Sequence, residues 1–61
     1  MPTKVQIVDD HFLFAEALGS VIRELPDYEL VGIAVTGPQA VSMTQEKQPQ
    51  VVLLDYHLPG Y

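Results

Sequence analysis

Three aspartates carry most of the chemistry open to this sequence. Asp9 and Asp10 stand side by side near the start, and Asp55 closes the run Val51-Val52-Leu53-Leu54-Asp55. Carboxylates gathered at one place repel. At about 4–5 Å and an effective dielectric near 20, each ionised pair costs roughly 3–4 kcal/mol. A fold that brings the three together therefore needs a compensating cation, or a proton held on one of them. A hard divalent ion with oxygen ligands suits such a set, and Mg2+ typically takes one or two carboxylates while keeping positions for water and phosphate oxygens. Each residue also has an ordinary reading. Asp9 and Asp10 fit the end of a strand or a helix N-cap, and Asp55 fits a strand-terminal residue that caps the next turn with its own side chain.

Whether the acids meet depends on the elements that carry them. Val51–Leu54 is four consecutive large apolar residues, two of them β-branched, with Pro49 before it and Pro59-Gly60 after it. That spacing leaves room for a strand, and the composition is that of a strand buried on both faces of a parallel sheet. Lys4 to Asp10 alternates and ends on the two acids, which predicts a first strand. From His11 to Leu25 the apolar residues fall at helical spacing, with Phe14, Leu18, Val21 and Leu25 as one stripe and Ala17 and Ile22 beside it. Asp10 is the expected N-cap, with Glu16 and Arg23 placed to complement the helix dipole. Gly19 inside this helix costs up to about 1 kcal/mol relative to alanine and so marks close packing. Tyr28–Ala34 is a second strand whose Glu29 and Gly32 suit an edge. Thr36-Gly37-Pro38 opens a second helix, with Pro38 at its first position and Ala40, Val41, Met43 and Thr44 on its inner face.

The order is β-α-β-α-β in an α/β chain, with connections long enough for parallel pairing. Right-handed crossovers with the first strand in the middle give the strand order 2-1-3 and send the helices to opposite faces. The chain then reverses direction between its first and third strands. In open α/β sheets ligands sit at that reversal, beyond the carboxyl ends of the strands, where Asp9, Asp10 and Asp55 would converge.

The remaining composition narrows the classes. Sixty-one residues make at most one small domain, and 48% apolar content is that of a globular chain. Eight acids against three bases give a net charge of −5, which argues against direct binding of nucleic acid or an anionic membrane by this segment. The sequence has no cysteine, hence no disulfide and no thiolate site. It shows neither the apolar core of a signal peptide nor a membrane-length apolar stretch, so a cytoplasmic location is expected.

Taken together, Val8-Asp9-Asp10-His11 and Leu53-Leu54-Asp55-Tyr56-His57-Leu58-Pro59-Gly60 resemble the two hallmark stretches of response-regulator receiver domains, the phosphoacceptor modules of bacterial two-component signalling. The Asp-Asp-His start, the Val31-Gly32 strand and the Thr36-Gly37 helix entry are most similar to receivers attached to LuxR/NarL-type DNA-binding domains. The resemblance implies a flavodoxin-like three-layer receiver fold, here truncated to βαβαβ. It implies Asp55 as the phosphoacceptor, and Mg2+ held by Asp9, Asp10, Asp55 and the backbone carbonyl of His57. It implies a sensor histidine kinase as partner and a transcriptional output domain outside this sequence. Leu58 stands where methionine is commoner, a volume-conserving change. His11 reads as a helix-entry residue rather than a ligand, since Mg2+ prefers oxygen, and Phe14 reads as core.

The family pattern continues for about as many residues again, in line with domains of roughly 100–150. The switch Ser or Thr and the Lys that contacts the phosphoryl group are not among these residues, so residues 1–61 are expected to be the N-terminal half of a receiver, and phosphorylation of this chain alone is expected to be slow or absent. Two other functions compete. One is a truncated receiver that acts only as an interaction module. The other is a Mg2+-dependent phosphohydrolase with an aspartyl nucleophile, a class that usually places an acid two residues after the nucleophile, where this chain has His57. With nothing after Tyr61, the Val51–Leu54 strand is expected to leave an apolar edge through which, or through the adjoining sheet face, the chain forms a homo-oligomer.

Overall fold

Five elements follow one another as β1 (Thr3–Asp9), α1 (Phe12–Arg23), β2 (Tyr28–Ala34), α2 (Gly37–Lys47) and β3 (Val51–Asp55). The computed structural model describes residues 2–55, and of Asp55 the backbone alone. All pairing is parallel, in the order β2-β1-β3. The α/β topology is therefore that of a receiver-type flavodoxin-like fold cut to βαβαβ, with strand order 2-1-3.

The side chains of β1 show which helix covers which face. Successive strand residues point to opposite faces. Val5 and Ile7 are buried against Ala15 and Ile22 of α1, with Leu18, Leu30 and Ile33 packed around them. Gln6, between them and fully buried, donates through Nε2 to the Ala40 carbonyl (3.2 Å) and accepts from the Thr44 hydroxyl (3.0 Å), both on α2. The two helices thus lie on opposite faces, one seam apolar and the other tied by hydrogen bonds.

A slip in register adapts β2 to both seams. Val5 pairs with Leu30 but Gln6 pairs with Gly32, so Val31 is an extra residue in the strand. The slip reverses the alternation and lets Leu30 and Ile33 both face α1. It also turns Gly32 toward α2, where a β-carbon would come within 2.3 Å of the Met43 sulfur. Glycine is required there because Met43 already fills the space.

Several expectations about the helices are corrected. The inner face of α1 is Ala15, Gly19 and Ile22, with Leu18 partly buried. Phe14, Val21 and Leu25 are instead 53%, 58% and 42% exposed. The reason is distance. A β-carbon on Gly19 would sit 3.0 Å from Leu30 Cδ2 and 3.4 Å from Ile33 Cδ1, so the helix lies too near the sheet for bulky residues at its closest approach. The N-cap is His11 rather than Asp10, makes no side-chain cap bond, and is followed by a first turn without an acid; Arg23 does lie in the last turn. In α2 Thr36 is the N-cap and accepts from the Gln39 amide at 3.2 Å, but Gly37 precedes Pro38 inside the helix, and Val41 is 59% exposed. Gln48 ends α2 in the left-handed region at φ 51°, directly before Pro49, which disfavours a further helical residue.

β3 departs most from its composition. Val51, Val52, Leu53 and Leu54 are 39%, 40%, 37% and 58% exposed, not buried on both faces. Among the described residues β3 packs on β1 alone, because both helices lie over β1 and β2. An open apolar groove of about 340 Å³ runs beside it, lined by Val5, Ile22, Leu25, Tyr28, Val51 and Leu53.

Candidate functional site

β1 and β3 end in register. Asp9 and Asp55 are Cα partners, at the carboxyl ends of the two adjacent strands between which the chain reverses. That is the position at which an open α/β sheet binds its ligand. Asp10 follows Asp9 directly, in the turn that leads to α1. The backbone therefore delivers all three acids to one end of the sheet, as the strand pattern predicts. The Asp55 side chain, Tyr56 and the carbonyl of His57 lie outside the described residues.

Asp9 is the best-defined member. It is 1% exposed, and its Oδ1 accepts the backbone N–H of His11 at 2.8 Å. A short polar side chain commonly bonds the backbone two residues on, and here that bond fixes the direction in which the chain leaves β1. The other oxygen, Oδ2, is buried and has no donor among the described residues. A buried oxygen of this kind requires an ion or an ordered water to satisfy it. Asp10, with its side chain 42% exposed, faces His11, whose Nδ1 lies 3.0 Å from Asp10 Oδ1 and 3.7 Å from Asp9 Oδ1.

One donor atom from each of Asp9, Asp10 and His11 falls within 4.8 Å of the others. The residues fit a divalent cation on two grounds: the donor set is oxygen-rich, and the buried Oδ2 lacks a partner. His11 is the residue that sequence reasoning assigned only to the helix entry. Its place in an Asp-Asp-His triplet was the signal available, since the turn after β1 folds three consecutive side chains toward one point.

Residues 5–61 match the model of the response regulator receiver domain. The chain belongs to this family. Among its relatives, a protein-glutamate methylesterase/protein-glutamine glutaminase of Saccharophagus degradans is 39% identical over 59 residues, which is 97% of this chain but 16% of that protein. The transcriptional regulatory protein YdfI of Bacillus subtilis is 38% identical over 56 residues, 92% of this chain and 26% of that protein. The nitrate/nitrite response regulator protein NarL of Escherichia coli K12 is 30% identical over 59 residues, 97% of this chain and 27% of that protein. This receiver chain thus spans between about a sixth and about a quarter of the length of these relatives. No solved structure matches it significantly. Family membership makes it a signalling domain of two-component systems, and no helix among the described residues is long and apolar enough to cross a membrane.

Proposed function

We propose that residues 1–61 are the N-terminal half of a receiver domain whose Asp55 takes a phosphoryl group from a phosphohistidine on a sensor histidine kinase. A carboxylate oxygen of Asp55 attacks phosphorus, the O–P bond forms as the P–N bond breaks, and the imidazole of the kinase leaves. Asp9, Asp10, Asp55 and the His57 carbonyl hold Mg2+, which when bound offsets the charge of the acids and of the phosphoryl oxygens. Asp9 is held in place for this by the His11 N–H, and its burial keeps its carboxylate from turning away. The receiver is a phosphoacceptor and not an enzyme that turns over. Its output is transcriptional, its location cytoplasmic, and its own acidic surface does not bind nucleic acid.

The observation that carries this reading is the register of Asp9 with Asp55 beside a buried carboxylate oxygen without a donor. The family match supports it. The test combines two measurements on the whole chain. Millimolar Mg2+ should raise the melting temperature, and Asp9→Asn or Asp55→Asn should weaken that rise, because the ion binds only the folded state. With acetyl phosphate and Mg2+, intact mass should show a slow gain of one phosphoryl group that Asp55→Asn abolishes. A melting temperature indifferent to Mg2+ would remove the metal site. No gain in mass under any condition would leave an interaction module.

The second partner is another copy of the chain. The open groove beside β3 and the half-exposed Val51–Leu54 edge form one continuous apolar surface, and such edges recruit a further strand. A two-fold dimer through this edge or the adjoining sheet face is the simplest arrangement. Sedimentation at micromolar concentration tests it, and a fully folded monomer would refute it.

A further inference from the structure

We propose that His11 joins Asp9 and Asp10 through its imidazole Nδ1 as a direct ligand, so that this site takes a divalent transition-metal ion of the zinc or nickel class. The inference rests on the metal-site reading of the same acids and adds to it a nitrogen donor and a different ion.

The distances are those of one coordination sphere. Zinc bonds to nitrogen and oxygen are about 2.0–2.1 Å, so two ligands at a right angle stand about 2.8–3.0 Å apart and two at the tetrahedral angle about 3.3–3.4 Å. His11 Nδ1 is 3.0 Å from Asp10 Oδ1 and 3.7 Å from Asp9 Oδ1. The longer separation closes with a small turn of the imidazole, whose side chain is 62% exposed and free to move toward the acids.

The buried oxygen points independently to a ligand. An ion pair between His11 and Asp10 accounts for the 3.0 Å approach, but it leaves Asp9 Oδ2 buried without a donor. A cation shared by the three side chains satisfies both. Mg2+ gives up its water reluctantly and favours oxygen donors. An imidazole added to two carboxylates moves the preference toward zinc, nickel or copper, in keeping with the general order of divalent affinities.

The experiment uses the 61-residue chain with Zn2+ and Mg2+ separately, read by calorimetric titration and by long-range 1H–15N spectra of the histidine rings. Zn2+ should shift Nδ1 of His11, identified as the ring missing from His11→Gln. Outer-sphere partners alone typically carry about 10–100-fold in metal affinity, so His11→Gln should lower Zn2+ affinity by at least about tenfold. Its Mg2+ affinity should be unchanged. Amide spectra report whether the variant is folded, and His11→Asn serves if it is not.

A His11 ring that does not respond to saturating Zn2+ overturns the proposal, as does a His11→Gln chain with undiminished Zn2+ affinity. If Mg2+ still stabilises the chain in that case, the magnesium reading stands without this one. If Zn2+ binds through His11 and Mg2+ does not bind, the inference stands and the magnesium reading falls.

Discussion

The two outer strands of the sheet have the same neighbour and opposite surroundings. β2 contains a charged Glu29 and a glycine, yet Leu30 through Ile33 are partly buried and Ala34 is fully so. β3 is Val-Val-Leu-Leu, yet every one of those residues is more than a third exposed. The difference comes from the crossovers. α1 connects β1 to β2 and lies over both. α2 leaves β2 at the outer edge and must pass back over β1 before β3 begins, so it too covers β1 and β2. Apolar content is a property of the strand, whereas burial is decided by where the connections place the helices.

One row across the sheet makes the contrast measurable, because Ile7 pairs with Ile33 on one side and with Leu53 on the other. All three lie on the α1 face. Ile7→Ala should be the most damaging, at about 2–5 kcal/mol, since Ile7 is 1% exposed and its removal leaves a cavity. In a domain this small that loss should abolish cooperative unfolding in urea. Ile33→Ala should cost less, and Leu53→Ala least of the three. A Leu53→Ala loss as large as that of Ile7 would show that something covers β3 in solution.

The β2 seam can be tested through its glycine. Gly32→Ala places a methyl group against the Met43 sulfur, and overpacking of this kind typically costs about 1–3 kcal/mol. Because the obstacle is a flexible side chain, Gly32→Ala combined with Met43→Ala should recover part of the loss in the denaturation midpoint. Additive losses in the double variant would mean that the register slip at Val31, rather than Met43, demands glycine.

On the polar seam, Thr44→Val removes the donor to Gln6 Oε1 and leaves that oxygen buried, at a cost of about 1–3 kcal/mol in the same measurement. The low end of that range is expected, because Thr44 is itself exposed.

These comparisons also show what could be read in the residues. The order of elements and the placing of Asp9 and Asp55 at matching strand ends were legible, because period and punctuation carry them. The face of α1 was not. Large apolar residues at helical spacing pointed to Phe14, Val21 and Leu25, while the close approach to the sheet selected Ala15 and Gly19. Size, not hydrophobicity, chose the seam, and the alternative stripe of Ala15, Leu18, Gly19 and Ile22 was present in the sequence with helical spacing. The register slip at Val31 left no signal beyond Gly32. In the site, Asp10 gave way to His11 as N-cap because Asp9 takes the His11 N–H, a choice made by one side chain's reach that composition does not reveal.

The smallest effect on folding should come from the most exposed residue of β3, and it separates folding from assembly. Leu54 is 58% exposed, so Leu54→Lys removes little buried surface and should change the unfolding free energy by no more than about 1 kcal/mol. A long side chain can lay its carbon stem along the strand and keep its ammonium in water. The same charge on a free strand edge is a common obstacle to edge-to-edge pairing. Leu54→Lys should therefore leave the monomer folded while lowering the sedimentation coefficient of the chain toward that of a single copy. Wild type and variant sedimenting alike as folded oligomers would place the interface away from the β3 edge, on the α1 side of the sheet. In that event Leu53→Lys, which charges the groove shared with Val5 and Ile22, is the substitution that should separate the copies.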